Sequence, residues 1–271
     1  MIETLYILRH GFRQNWITST WPTTTGTPRD PPLAAFGEDQ AQEVADYFKS
    51  LPVEERPTAI FSSPYYRCIQ TSKPIAHALG LPIFVEHGIS EWYSPVAPGT
   101  GLHPRPSSAT ALKAFFPEID DSWSSLWYPS RKGENVLEIH DRSAGFLEVF
   151  VPEVERRMPT THSRILLVAH AAPIAALTRE LLGDRNLPLQ VGCCTLTDVK
   201  RKSGAKVLGG WTAKALASGD HLSQGVQRAW GFQDVEIADA KVVDDPGVSG
   251  SENEEEGPVG CQLQPSIESH L

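Results

Sequence analysis

Short runs of apolar residues in this chain repeatedly stop at a tight turn and give way to a stretch with helical periodicity. "TAIFSSPYYRCIQTSKPIAHALG" does so around residue 62, and "RILLVAHAAPIAALTRELLG" does so around residue 170. "LYILRHG" opens the chain in the same way, although a loop rich in Thr and Pro runs to about residue 32 before "PPLAAFGEDQAQEVADYFKSLP" brings Val44, Tyr47, Phe48 and Leu51 to helical spacing. Pro52 ends that helix and Gly80 closes the next. "LPIFVEHGIS" adds another strand, and residues 134–157 read as a long helix. Strands that are apolar at successive positions are buried on both faces, and strands alternating with helices pair in parallel. The pattern predicts an α/β protein, a three-layer α/β/α sandwich around a mostly parallel sheet.

Beyond residue 195 the pattern changes. "CTLTDVKR", "KVLGGWTAKAL" and "RAWGFQDVEI" read as antiparallel strands joined by Gly-rich turns, and "VVDDPGVSGSENEEEGPVG" is acidic and without periodicity. These changes predict a first domain over residues 1–200, a β-rich extension over 201–239 open to pairing with a partner chain, and a disordered acidic tail over 240–271. No internal repeat is evident.

Charge supports the same division. The net charge of -9 lies almost wholly in residues 234–256, which hold nine carboxylates and one lysine, so residues 1–233 sum to zero. A balanced domain argues against a dedicated nucleic-acid surface. The four cysteines form no C-x-x-C pair, which fits a reducing compartment. No run approaches the roughly 20 apolar residues that span a bilayer, and the opening residues lack a secretory signal. The expected location is nuclear or cytoplasmic.

In an open α/β sheet the functional crevice lies at the carboxyl ends of the strands. Arg9, His10 and Arg13 follow the first strand, Arg67 follows the second, Glu91 the third, and His170 follows "RILLVA". Each has a plainer reading alone: a strand-end histidine is usually a surface or hydrogen-bonded residue, Arg67 a surface helix residue, and Glu91 a loop carboxylate. Together they suit a phosphoryl group, with one His as nucleophile, guanidiniums as donors to the equatorial oxygens, and a carboxyl to protonate the leaving oxygen. None of the seven other histidines falls at a metal-ligand spacing, so no metal and no cofactor is expected.

"LRHG", "PLAAFGEDQA", "FSSPYYRCIQT", "SEW" and "VAHAAPI" stand in the order seen in the histidine phosphatase superfamily, and the chain resembles that family over about residues 3–200. The resemblance implies that His10 is the phosphorylated histidine, that Arg9, Arg67 and His170 complete the phosphate pocket, and that Glu91 is the proton donor. Arg13 matches the extra arginine of R-H-G-x-R members, in contact with phosphate or substrate. Ala34 stands where the family's helix start usually has a hydroxyl residue, which removes a cap and leaves the chemistry intact.

The stretch after Glu91, "WYSPVAPGTGLHP", lacks the Glu-Arg-x-Tyr-Gly of the cofactor-dependent mutases. The chain also lacks the length and disulfides of the secreted acid phosphatases. "RHGFRQNW", "SPYYRC" and "THSRILLVAHAA" are similar to two groups: the ubiquitin-associated SH3-containing phosphatases and the histidine-phosphatase-bearing tau subunits of the RNA polymerase III transcription factor TFIIIC. Two functions follow as expectations. One is a metal-independent phosphomonoesterase acting through phosphohistidine on a phosphoprotein or small phosphate ester. The other is a transcription-factor subunit whose phosphatase domain is mainly a scaffold or retains residual activity, with a protein partner bound through residues 200–240.

Overall fold

The computed structural model describes residues 1–158, 162–235, 237–238 and 241–263. In chain order the principal elements are β1 (Thr4–Arg9), α1 (Ala35–Ser50), β2 (Ala59–Ser62), α2 (Tyr66–Leu79), β3 (Ile83–Val85) and α3 (Ala109–Leu112). They continue with β4 (Trp127–Tyr128), α4 (Val136–Arg157), β5 (Arg164–Ala169), α5 (Ala171–Leu182), β6 (Leu196–Arg201) and β7 (Trp211–Ser218). Three two-residue strands follow: β8 (Ile237–Ala238), β9 (Lys241–Val242) and β10 (Gly260–Cys261).

The main sheet has the order β3-β2-β5-β1-β6-β7. β3, β2, β5 and β1 run parallel, and β6 is antiparallel to both its neighbours. Successive side chains of a strand point to opposite faces, so both faces must be covered. Leu5 and Ile7 of β1 join Phe61, Ile165 and Leu167 under Phe146, Phe150, Ile174 and Leu177 of α4 and α5. Tyr6 and Leu8 join Ile60, Leu166 and Val168 under Val44, Phe48, Ile69 and Ile75 of α1 and α2. The result is a three-layer α/β/α sandwich with a mostly parallel sheet.

Local sequence explains the element ends that matter for the site. Asn135 caps α4 through a reciprocal capping box with Glu138. Ala34 caps α1 without any side-chain hydrogen bond. Gly80 and Gly183 end α2 and α5 in the left-handed conformation.

The boundary expected at residue 200 is corrected by this sheet. β6 lies beside β1, and β7 pairs with β6 as the sixth strand. Trp211 is 1% exposed and belongs to the same core as Leu5, Ile7 and Val199. The sheet is completed from within the chain because β1 would otherwise present an unpaired central edge. Among the described residues, "RAWGFQDVEI" forms a bridge from Trp230 to Val191 and a 3₁₀ turn at Phe232–Asp234, and its last residue, Ile237, enters a short ladder with β9.

The acidic stretch also departs from expectation. Residues 243–262 follow the loops between residues 94 and 131, with bridges from Asp245 to Val96 and Val248 to Leu102 and a short ladder from β10 to β4. The tail expectation is therefore corrected over these residues, because the loops supply cations and main-chain partners invisible to a local reading. Residues 264–271 lie outside the described residues.

Candidate active site

The parallel strands deliver their carboxyl ends to one rim. β1 and β5 are neighbours in register, with Arg9 opposite Ala169, so His10 and His170 emerge side by side with ring centroids 5.4 Å apart. Arg67 comes from the first turn of α2, and Glu91 from the loop after β3. A cavity of about 380 Å³ opens here, lined by Arg9, His10, Arg13, Arg67 and Glu91, with His170 fully buried behind them.

His10 is 1% exposed and its Nδ1 lies 2.8 Å from the carbonyl of Gly11. A carbonyl only accepts, so Nδ1 carries the proton and Nε2 keeps its lone pair. Burial, then Arg67 and Arg9, hold the imidazole well below its usual pKa, so the ring is neutral near pH 7. Neighbouring cations thus disfavour the charged ring and leave the Nε2 lone pair free.

Arg67 is wholly buried and held from three sides. Nη1 donates to Asp30 Oδ1 at 2.9 Å, while Nη2 donates to Glu91 Oε2 at 3.0 Å and to His170 Nδ1 at 3.1 Å. Burial opposes its charge, but Asp30 and Glu91 outweigh that and keep it protonated. Asp30 also accepts from the backbone N–H of Tyr66 at 2.7 Å, tying the loop before α1 to the start of α2. Arg9 Nη1 donates to the carbonyl of Val191 at 2.6 Å and to that of Arg228. The Arg13 guanidinium rests 4.3 Å from the ring centre of Trp16, and burial brings its pKa down to about 10. Three guanidiniums lining one cavity favour an oxyanion there.

His170 Nε2 meets Ser63 Oγ at 2.8 Å and Nδ1 lies 3.3 Å from Glu91 Oε2. Burial brings its pKa down to about 4 despite the Glu91 carboxylate. His170 is also the N-cap of α5, and Ala171 and Ala172 of its first turn line the cavity, so the positive end of the helix dipole faces the same space. For Glu91, burial alone would raise the pKa, but the guanidiniums of Arg67 and Arg13 hold the carboxyl below the ordinary range.

His10, Glu91 and His170 bring ligand-type atoms within 4.8 Å of one another, a spacing that admits a metal ion. Three guanidiniums beside that spot oppose a divalent cation and favour an anion. Beside a larger cavity of about 640 Å³ between α1 and α2, His77 and Lys73 also meet a carboxylate, Glu118, at 2.8 and 3.5 Å, but both side chains are exposed, so solvent screens the group.

Several residues of the site carried no local signal. Asp30 sits in a polar loop, Ser63 in a turn, and Trp21 and Arg29 from that same loop, with Tyr93 and Trp230 from two others, reach the cavity wall. Only the tertiary arrangement brings them together.

This pocket and sandwich agree with a family match over residues 5–214 to the histidine phosphatase superfamily (branch 1), and the chain belongs to that family. Among its relatives, the transcription factor tau 55 kDa subunit of Saccharomyces cerevisiae is 41% identical over 189 residues, covering 69% of this chain and 42% of that protein. Human ubiquitin-associated and SH3 domain-containing protein A is 31% identical over 160 residues, covering 57% of this chain and 23% of that protein. The chain thus spans less than half the length of either. The Bombix mori ecdysone phosphate phosphatase, solved with tungstate, shares the fold at a TM-score of 0.61 and 16% identity, over 79% of this chain and 92% of that one. Among the described residues, no helix is long and apolar enough to cross a membrane.

Proposed function

We propose that the chain is a phosphomonoesterase that works without metal through a phosphohistidine on His10. The observation that carries this reading is the neutral, Nδ1-protonated His10 facing a cavity ringed by Arg9, Arg13 and Arg67. His10 Nε2 attacks phosphorus, the bond to the ester oxygen breaks, and that oxygen takes a proton from Glu91 or from the substrate's own monoanion. Water then attacks the phosphohistidine, Glu91 carboxylate accepts its proton, and phosphate departs with His10 restored. The arginines and the α5 N-terminus balance the charge on the equatorial oxygens throughout.

The ion pair of Glu91 with Arg67 refines this scheme. In the free protein Glu91 is an anion. A bound phosphate dianion competes for Arg67 and sets a negative charge beside Glu91 and His170, which raises both pKa values. Substrate binding therefore prepares the acid, and converts His170 into a donor.

The substrate class is a phosphoprotein or a small phosphate ester. The identity to the tau 55 kDa subunit supports a second, compatible reading in which the chain is a nuclear subunit of a TFIIIC-type assembly whose phosphatase domain is mainly a scaffold or retains residual activity. His10→Ala is expected to abolish hydrolysis of an aryl phosphate, while the wild-type protein gives a pre-steady-state burst, acid-labile phosphate on His10 and undiminished activity in EDTA. Full activity in His10→Ala overturns the mechanism. Copurification of an inactive protein with a large assembly favours the second reading.

A further inference from the structure

We propose that the groove bordered by Arg29, Arg105, Arg131 and Lys132 is a docking site for an acidic polypeptide, and that residues 243–262 are its built-in, displaceable occupant. This inference does not rest on the phosphatase reading. The segment carries six carboxylates and neither lysine nor arginine. It meets the groove cation by cation: Asp245 pairs with Arg29 at 3.1 Å, Glu254 with Arg131 at 2.9 Å, and Glu256 with Lys132 at 3.6 Å. Arg105 donates to the carbonyl of Glu256 at 2.7 Å.

The contacts are those of a bound peptide. Asp245 N donates to Pro95 O and its own carbonyl accepts from Ala97 N, Val248 N donates to Leu102 O, and Gln262 N donates to Leu126 O. A groove that pairs with main-chain amides at this spacing fits a polypeptide better than a nucleic acid. No large apolar side chain of the segment enters the core: Gly247 and Ser251 are buried, whereas Val243 and Val259 are 39% and 46% exposed. The ion pairs face solvent, where each contributes little and salt screens it. Attachment therefore rests on charge and hydrogen bonds, among them those from Leu102 N to Ser251 Oγ at 2.8 Å, from Gly247 N to Thr100 Oγ1 at 2.8 Å and from Arg131 N to Glu256 Oε1 at 3.0 Å, and not on apolar burial; tethering supplies an effective concentration of order millimolar. A free acidic peptide competes poorly until the tethered one is released. Arg29 also lines the cavity at His10, so the Asp245 ion pair ties the strap to a residue of the cavity wall.

The test uses the full chain and a fluorescein-labelled peptide of residues 242–263, which carries no phosphate. In D245N/E254Q/E256Q the strap should lose hydrogen-exchange protection, and the peptide should bind at least about tenfold more tightly than to wild type, less so as salt rises. R131E/K132E added to that variant should remove binding. Wild type in 0.5 M salt should show the same loss of protection over 243–262, which provides a check independent of the triple substitution. Protection of the strap that survives both the substitutions and salt makes it a fixed part of the fold and overturns the proposal. So does absence of peptide binding to a released strap, or binding of an oligothymidine of equal charge as tight as that of the peptide. Loss of turnover in His10→Ala changes none of these readouts, so this proposal and the catalytic one fail separately.

Discussion

At the residue scale, protonation governs the site. His10 and His170 are neutral because burial and neighbouring guanidiniums disfavour their charge, with His170 at about 4. Glu91 is ionised in the free protein, so under the proposed mechanism kcat/KM depends on a proton that arrives with the substrate, whose second phosphate pKa is about 6. The pH profile is therefore expected to rise through the acidic range and to fall above roughly pH 6. A kcat/KM that stays flat to pH 8 argues against substrate-delivered protonation. Asp30 is the positioning residue that local reading missed. Asp30→Asn removes the charge that fixes Arg67 Nη1 and is expected to lower kcat/KM about tenfold, roughly the effect of 1.4 kcal/mol. A purely structural role would lower stability without moving the KM for substrate or the inhibition constant for vanadate, and steady-state kinetics separates the two.

At the element scale, the turn after β1 depends on close approach. A Cβ on Gly11 would lie 2.5 Å from the carbonyl oxygen of Gly37, and one on Gly37 would lie 2.2 Å from that of Phe12. Both glycines leave room for the first turn of α1 to press against the loop after His10. Gly37→Ala must push backbone apart and is expected to cost about 1–3 kcal/mol, with activity reduced because Phe12 is two residues from His10. Asn135→Ala, which only removes a cap far from that loop, should cost about 1 kcal/mol and leave turnover intact. Urea titration of the two variants beside wild type checks both values. Comparable loss in both would mean that the α1 contact is compliant.

At the scale of the whole molecule, the sheet and the buried histidines set stability. A chain ending at residue 200 removes β7 and the buried Trp211, and loss of such a side chain alone costs roughly 3–5 kcal/mol. That chain is expected to lose its near-ultraviolet dichroism and to aggregate, and a soluble, active product would restore the boundary at 200. Acid should unfold the intact protein early. His87 and His170 are each held at about 4 by burial against 6.5 when unfolded. Between those values the unfolded chain binds more protons, so stability falls as pH drops from about 7 towards 4. Each contributes up to about 3 kcal/mol to that loss. Glu86 works the other way, since burial raises it to about 7 and its protonation relieves a cost present at neutral pH. The histidines outnumber it, and thermal unfolding at pH 7 and pH 5 should show a lower midpoint at pH 5.

Periodicity along the chain determined the sandwich, and strand ends placed Arg9, His10, Arg13, Arg67, Glu91 and His170 as candidates, because alternation of strand and helix is local and the carboxyl edge of a parallel sheet follows from it. Ala34 could be read as an absent cap from one residue, and α1 begins there without one. What lay beyond reach were contacts between segments distant in sequence. Asp30 acquires its role only beside Arg67, and β7 only beside β6. Residues 243–262 have the composition of a disordered tail, and only the folded loops, by placing Arg29, Arg105, Arg131 and Lys132 along one groove, supply the charge and main-chain partners that hold such a segment in place.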